Sequence, residues 1–164
     1  MQHQLARQAA GLALFGGAAF AAAATGAWAS PARSTATRLW FWRLRKPPFQ
    51  PPARVFGPVW SALYPAVALS GYRAWRAEPS IDRRRALRWW GVQMGLNGLW
   101  SPLFFGAKEP RASLVDSALL FASTGNYARH ARKIDKPAAW LALPYLAWLG
   151  FATVLNAEIV RRNR

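Results

Sequence analysis

Apolar and polar positions alternate along this chain in long blocks rather than in short amphipathic repeats. The apolar blocks cover residues 9–29, 55–75, 89–106, 112–128 and 138–160. Each has about the length of a helix that crosses a bilayer. A segment in lipid must pair its own backbone polar groups, so each block is expected to be helical. The pattern predicts an all-α integral membrane bundle of five transmembrane helices, with residues 1–164 as a single membrane domain.

The first apolar block has two interpretations. Arg7 precedes it, and Ala27-Trp28-Ala29 follows in the small-x-small pattern of a secretory signal cleavage site. The block is longer than the usual core of such a signal. We therefore favour a retained helix whose small residues allow close helix packing, with a cleaved signal as the alternative.

Residues 30–54 interrupt the apolar pattern with basic, aromatic and proline residues. Proline fixes φ and lacks an amide donor, so the proline-rich second half is expected to be neither regular helix nor central strand. A stiff loop that leads directly into the second helix predicts a lid over a pocket. The alternative is an interfacial anchor, because aromatic residues mixed with arginine suit the headgroup region. The expected lid residues are Trp40, Lys46, Pro47, Pro51 and Pro52.

Gly91 and Gly95 form a GxxxG spacing within the third apolar block. Small residues at this spacing let two membrane helices approach closely. The spacing also occurs by chance in apolar segments. It predicts a homodimer seam on this helix.

The formal charge of +16 raises the question of nucleic-acid binding. The basic residues lie in blocks between the apolar segments, where they favour anionic lipid headgroups instead, so no nucleic-acid partner is expected. With five spans, eleven Lys and Arg residues fall on each side, so the charge balance leaves the orientation open. The absence of cysteine and the separation of His3 from His130 predict no metal site.

The candidate chemistry is aromatic and amide rather than acid–base. Carboxylates, hydroxyls and histidines form no catalytic constellation, so no catalytic residue is predicted. Aromatic and amide side chains instead recur at helical spacing on three of the apolar blocks. Apolar walls with a few placed polar groups are typical of a small-molecule pocket, and flat rings suit a flat aromatic ligand. Simple helix packing is the alternative. The candidate ligand-binding residues are Trp60, Tyr64, Asn97, Trp100, Phe104, Trp148 and Asn156.

Several ordered motifs between about Trp40 and Asn163 resemble the translocator protein family, also called tryptophan-rich sensory proteins or peripheral benzodiazepine receptors. The motifs are Lys46-Pro47, Phe56-Gly57-Pro58-Val59-Trp60, Asn97-Gly98-Leu99-Trp100, Leu114-Val115-Asp116 and Pro144-Tyr145-Leu146-Ala147-Trp148. The resemblance implies five transmembrane helices, usually in a homodimer. It also implies a pocket, closed by the first loop, for porphyrins such as protoporphyrin IX and haem, and for synthetic isoquinoline carboxamides and benzodiazepines. Carried over by position, this resemblance adds Ala152 and Leu155 of the last block to the candidate ligand-binding residues.

From this resemblance we expect a membrane-embedded protein that binds porphyrin in transport, sequestration or sensing, with no obligatory cofactor. One alternative is an enzyme that degrades porphyrin in the light; another is a passive dimeric membrane scaffold. The composition, rich in Ala, Arg and Trp, indicates a bacterial envelope protein, whether of the inner or the outer membrane.

Overall fold

The computed structural model describes residues 2–164, and these residues form six α-helices. The helices are α1 (Gln2–Trp28), α2 (Thr35–Arg43), α3 (Ala53–Arg76), α4 (Ile81–Ser101), α5 (Pro110–Ile134) and α6 (Lys136–Arg162). All but α2 are at least 21 residues long, which at 1.5 Å per residue gives about 30 Å, enough to cross a bilayer. The predicted all-α bundle is confirmed, and α2 is an addition to it.

The five long helices of the described chain close into a ring. Helix α1 packs against both α3 and α4, and α4 packs against α5. Helix α5 packs against α6, which in turn contacts α3. Neighbours in sequence are thus mostly neighbours in space, while α1 fills the gap between α3 and α4.

The outer surface of the bundle differs from that of a water-soluble protein, although the core is mostly apolar. Large apolar side chains are exposed on every long helix, for example Phe20 on α1, Leu69 on α3 and Leu119 on α5. Polar side chains such as Gln93 and Asp116 are buried instead. By length and composition alone, Gln2–Trp28 and Lys136–Arg162 are the helices apolar enough to cross a membrane within residues 2–164. The others fall short because they carry more polar residues, including the exposed Arg84, Arg85 and Arg88 of α4.

Two of the predicted polar links are wrong. Residues 78–88 were expected to be a link, but α4 begins at Ile81, where Ser80 Oγ accepts a hydrogen bond from the Arg83 amide at 3.0 Å. Residues 129–137 were expected to be a basic loop, but α5 continues to Ile134 and α6 begins at Lys136. Asp135 alone separates them and caps α6 by accepting from the Ala138 amide at 2.8 Å. Arginine and lysine are good helix formers, so charged segments extend these helices beyond the apolar blocks.

The segment 30–54 is only partly the loop that was predicted. A 3₁₀ turn spans Pro31–Arg33, and α2 follows, capped by Ser34, whose Oγ accepts from the Thr37 amide at 3.3 Å. Trp40 is therefore a helical residue. The proline-rich stretch 44–52 is irregular, as expected from its missing amide donors.

The third predicted helix, 89–106, ends in a different geometry. Helix α4 stops at Ser101, and Pro102–Gly106 forms a π-helical turn in which the Ala107 amide donates to the Pro102 carbonyl at 2.8 Å. Lys108 follows with a φ of 58°. This turn reverses the chain into α5 and directs the Phe104 ring into the interior, where it is buried.

Helix α1 is part of the bundle core. The Phe15 ring lies 4.6 Å from the Trp90 ring of α4, edge to face. Gly11 faces Trp75 and Tyr72 of α3 so closely that a Cβ at this position would lie 2.7 Å from the Trp75 ring. Small residues thus let α1 approach α3 closely, and the retention of this helix stays a prediction.

Candidate ligand-binding site

Six rings from α3 and α6 meet inside the bundle and form what we call the inner aromatic cluster: Phe56, Trp60, Tyr64, Tyr145, Trp148 and Phe151. The Trp60 ring stacks on Tyr64 at 5.1 Å between centroids and meets Trp148 edge to face at 6.4 Å. Phe56 and Phe151 flank Trp148 at 5.7 and 5.4 Å. All these separations fall in the range of favourable ring pairs. Two prolines inside α3, Pro58 and Pro65, do not interrupt the helix that carries Trp60 and Tyr64.

A chain of hydrogen bonds links the inner aromatic cluster to α4. The Tyr64 hydroxyl donates to Asn97 Oδ1 at 2.9 Å, and Asn97 Nδ2 donates to the Tyr145 hydroxyl at 2.8 Å. Asn97 and Tyr145 are buried. A buried amide needs partners, and here two tyrosines from different helices supply them. The chain joins α3, α4 and α6 at one point.

A second group of rings lies at the end of the bundle where α2 sits, and we call it the loop aromatic cluster: Trp40, Phe41, Trp100, Phe104 and Phe105. Phe104 is its centre and stacks on Trp100 at 5.0 Å with an interplanar angle of 13°. The Trp40 ring of α2 meets Phe104 edge to face at 5.7 Å. Leu155 of α6 is buried in the same apolar cluster. Helix α2 is thus held to the bundle by aromatic contacts.

The irregular stretch 44–52 is fastened at its start. Lys46 Nζ donates to the Phe41 carbonyl at 2.6 Å and lies 4.4 Å from the centre of the Phe41 ring. The Lys46 side chain thus caps the C-terminal end of α2. Burial lowers the pKa of Lys46 from its usual value. The Asn163 side chain, at the end of α6, accepts from the Arg45 amide at 2.9 Å and donates to the Arg45 carbonyl at 3.0 Å. Farther along, Phe49 meets Phe151 of the inner aromatic cluster at 6.4 Å.

The structure brings seven of the nine predicted ligand-binding residues into the two aromatic clusters. Trp60, Tyr64, Asn97 and Trp148 lie together at the inner aromatic cluster. Trp100, Phe104 and Leu155 lie at the loop aromatic cluster together with the predicted lid residue Trp40.

The other predicted residues lie outside these two clusters. Asn156 is buried against α5, where its Nδ2 donates to Ser113 Oγ at 3.1 Å. Ala152 is half-buried one turn beyond Trp148. Gly91 and Gly95 face outward from α4. The three lid prolines differ in their exposure to solvent: Pro47 is buried, Pro51 is half-buried and Pro52 is exposed.

Sequence reasoning did not assign Tyr145, Phe56 and Phe151 to the site. Tyr145 precedes Trp148 by three residues, and Phe56 precedes Trp60 by four, so helical spacing placed both beside predicted residues. Phe151 follows Trp148 by three. The spacing was therefore sufficient to find them, although the hydrogen bond between Asn97 and Tyr145 depends on how α4 and α6 meet.

An open cleft lies apart from these residues. It has a volume of about 380 Å³ and is formed by the end of α1, the start of α2 and the π-helical turn, with Trp28, Thr37 and Phe105 in its walls. The inner aromatic cluster instead has its rings in contact with one another. Whether the predicted residues bind a ligand stays a prediction.

Comparison with known proteins places the chain in a family. The family model described as TspO/MBR family matches residues 15–162. The chain is 35% identical to the translocator protein of Ovis aries over 127 residues, which cover 76% of this chain and 75% of that protein. It is 40% identical to the tryptophan-rich protein TspO of Archaeoglobus fulgidus over 127 residues, covering 76% and 80%. It is 33% identical to the tryptophan-rich sensory protein of Cereibacter sphaeroides over 124 residues, covering 76% and 77%. The chain, a membrane bundle of helices, thus belongs to the TspO/MBR family.

Proposed function

We propose that this protein binds a porphyrin such as protoporphyrin IX or haem inside its helical bundle and acts in porphyrin transport, sequestration or sensing. Relatives named translocator protein and tryptophan-rich sensory protein support a role of this kind. We place the protein in a bacterial envelope as part of the same proposal.

The inner aromatic cluster is the observation that carries this proposal. Its rings come from two neighbouring helices, α3 and α6, and the Tyr64–Asn97–Tyr145 hydrogen bonds supply polar groups beside them. Flat aromatic faces beside a few hydrogen-bonding groups match the chemistry of a flat ligand with a polar edge. Basic residues at the loop end, such as Arg45 and Lys46, suit the carboxylates that such a ligand carries.

A ligand of this size requires the rings to separate. Trp60 and Trp148 contact each other edge to face, so a flat molecule between them replaces that contact with ring stacking. The way in is the irregular stretch 44–52, whose Phe49 ring contacts Phe151 next to Trp148. Lifting this stretch breaks the two hydrogen bonds between Arg45 and Asn163. The stretch is therefore proposed as the lid.

Quenching of tryptophan fluorescence by protoporphyrin IX tests the proposal in purified, detergent-solubilised protein. Trp148→Leu removes a ring of the inner aromatic cluster, whereas Trp140→Leu removes a tryptophan on the same helix that is 69% exposed. Each variant loses one fluorophore, so the comparison is matched. We expect saturable quenching in the wild type and in Trp140→Leu, with at least about tenfold weaker apparent affinity in Trp148→Leu, equivalent to about 1.4 kcal/mol.

Far-ultraviolet circular dichroism establishes that each variant is folded before titration. Linear quenching without saturation in all three proteins would contradict the proposal, because it indicates that porphyrin partitions into detergent. Equal saturable binding in all three would move the ligand away from Trp148.

Light-driven oxidative degradation of porphyrin, with dissolved dioxygen as the oxidant, is a second candidate, favoured by the contact between Trp60 and Trp148, since neighbouring indole rings can exchange electrons with a bound excited ligand. Analysis of the porphyrin after incubation in light and in darkness separates the candidates. Recovery of unchanged porphyrin under both conditions would remove the enzyme and leave binding.

A further inference from the structure

The interface between α5 and α6 contains a buried polar seam formed by Ser113, Asp116, Ser117, Thr153 and Asn156. Ser117 Oγ lies 2.7 Å from Thr153 Oγ1, and Asn156 Nδ2 donates to Ser113 Oγ at 3.1 Å. Both contacts cross from one helix to the other. Asp116 precedes Ser117 by one position and follows Ser113 by three, on the buried face of α5.

The hydroxyl hydrogens of this seam are already engaged. Ser113 Oγ donates to the Pro110 carbonyl at 3.0 Å, and Thr153 Oγ1 donates to the Leu149 carbonyl at 2.8 Å. Each hydroxyl has one hydrogen, so the contact between Ser117 and Thr153 uses the hydrogen of Ser117. These hydroxyls can still accept, but they have no hydrogen left to donate to a carboxylate.

Three acceptor atoms of the seam have no hydrogen-bond partner within residues 2–164: the two carboxyl oxygens of Asp116 and Oδ1 of Asn156. Asp116 is 4% exposed and Asn156 is 2% exposed, so water outside the bundle does not reach them. Since every unpaired atom is an acceptor, the species that satisfies them must be positively charged or donate hydrogen. An unpaired carboxylate inside a membrane protein is unfavourable and is a marker of function.

The donor set specifies the kind of cation. It consists of carboxylate, amide and hydroxyl oxygens, which are hard ligands and suit alkali and alkaline-earth ions rather than soft metals. Asp116 contributes the single negative charge of the seam, which a monovalent ion neutralises. A divalent ion would leave an uncompensated positive charge in a medium of low dielectric constant. We propose that the seam between α5 and α6 binds a small alkali-metal cation, with Na⁺ as the probe ion.

Thermal unfolding of the detergent-solubilised protein at fixed pH and ionic strength tests this site, with NaCl replaced stepwise by N-methyl-D-glucamine chloride. A cation that binds the folded state raises Tm in proportion to the logarithm of its excess over Kd. We expect a rise of a few degrees that depends on Na⁺ in the wild type and is lost in Asp116→Asn. The matched control is Glu109→Gln, which removes an exposed acidic charge at the start of α5 and is expected to keep the rise.

Direct binding of radioactive ²²Na⁺ to the wild-type protein keeps the test independent of how well the variants fold. Saturable binding that unlabelled Na⁺ displaces supports the site. Displacement by K⁺ as well indicates a less selective site of the same class. Absence of saturable binding, together with equal Tm values in the two salts, would overturn the proposal and leave Asp116 protonated. Because these measurements use no porphyrin, they succeed or fail independently of the proposed porphyrin binding.

Discussion

Single glycines determine how closely the helices of this bundle approach one another. Gly71 on α3 faces both Trp90 of α4 and Phe15 of α1, and a Cβ at this position would overlap Trp90. Gly125 on α5, by contrast, has open space where its Cβ would be. The same residue type therefore serves close packing at one position and not at the other.

Gly71→Ala is expected to destabilise the bundle by about 1–3 kcal/mol, because the added methyl group forces α1, α3 and α4 apart. Gly125→Ala is the control. It should be neutral or stabilising by up to about 1 kcal/mol, since alanine is the better helix former and meets nothing. Unfolding in mixed detergent, followed by circular dichroism, measures both. Equal stability of the two variants would mean that α1 and α4 adjust to the extra volume.

The sequence predicted which residues lie on the same face of one helix better than it predicted their partners on other helices. Helical spacing placed Trp60 with Tyr64, and the structure stacks them. Asn97 was predicted as a site residue, but that Tyr145 is its hydrogen-bond partner depends on the relative position of two helices, which spacing within one helix does not contain. The same limit applied to Asn156, whose partner Ser113 lies on α5.

Among the elements, α2 and the irregular stretch 44–52 form the cover at one end of the bundle. The cover is attached by ring contacts on one side and by the Arg45–Asn163 hydrogen bonds on the other. Few apolar contacts and exposed backbone are typical of segments with low local stability. This stretch is therefore where we expect local opening.

Asn163→Ala should increase amide hydrogen exchange in residues 44–52 several-fold while leaving Tm nearly unchanged, because the side chain holds the loop and not the core. Arg164→Ala, one position farther along, is the control and should leave exchange unchanged. Hydrogen-exchange mass spectrometry resolves the two. Unaltered exchange in Asn163→Ala would show that the aromatic contacts alone hold the cover.

At the end of the bundle opposite to the cover, a contact between charged side chains joins helices α4 and α5. His130 Nδ1 lies 2.7 Å from Asp82 Oδ1 at the polar start of α4, and Lys133 Nζ donates to the same oxygen at 3.2 Å. The hydrogen bond from His130, followed by that from Lys133, holds the pKa of Asp82 below its usual range. A carboxyl group whose folded-state pKa is lowered stabilises the fold above its unfolded pKa of about 4, and this contribution is lost as the pH falls through the folded-state value.

The wild-type Tm is therefore expected to fall as the pH drops below about 4, and Asp82→Asn should show a smaller fall over that range. Thermal scans at closely spaced pH values measure the difference. Glu78→Gln, which removes an exposed carboxyl group nearby, should retain the wild-type acid profile. Identical profiles for the wild type and Asp82→Asn would contradict a stabilising role for this contact.

The extent of the helices was harder to predict from sequence than their existence. Hydrophobic blocks locate the part of a helix that lies in lipid, but Ser80 and Asp135 start helices outside those blocks by capping their first amides. Helix α2 escaped prediction because its polar and aromatic residues have no helical periodicity of their own. Its contacts with Phe104 and Phe105 supply the stabilisation that its sequence pattern does not reveal.

For the whole molecule, the outward face of α4 is one of several apolar surfaces that contact no other helix within residues 2–164. Gly91 and Gly95 are exposed, and both have open space where a Cβ would be. Val92 and Leu99 are exposed on the same helix. A smooth apolar face of this kind suits close contact with a second helix, so the homodimer seam on α4 stays a prediction.

Gly91→Leu combined with Gly95→Leu is expected to weaken dimerisation at least about tenfold without unfolding the monomer, because the leucines block close approach of two α4 helices. Light scattering coupled to size-exclusion chromatography measures the mass of the protein. Leucines at Gly16 and Gly17, which are also exposed, are the control on α1. A dimer that persists in the α4 variant would place the seam on another helix.

The overall architecture was the most predictable level, since five apolar blocks of spanning length leave few alternatives to a helical bundle. The ring order of the helices was not predictable in the same way. It depends on pairs such as Phe15 with Trp90, which lie far apart in the chain and whose pairing leaves no local pattern.

The single residue between α5 and α6 has a consequence for biosynthesis. Helix α5, with its serines, threonine and Asp116, is too polar to partition into lipid readily by itself, whereas α6 contains an apolar stretch long enough to cross a membrane. Only Asp135 connects the two helices. Because the ribosome delivers α5 first, we expect α5 to stay at the translocon until α6 emerges and to enter the bilayer with it, as a hairpin that already shields the polar side of α5.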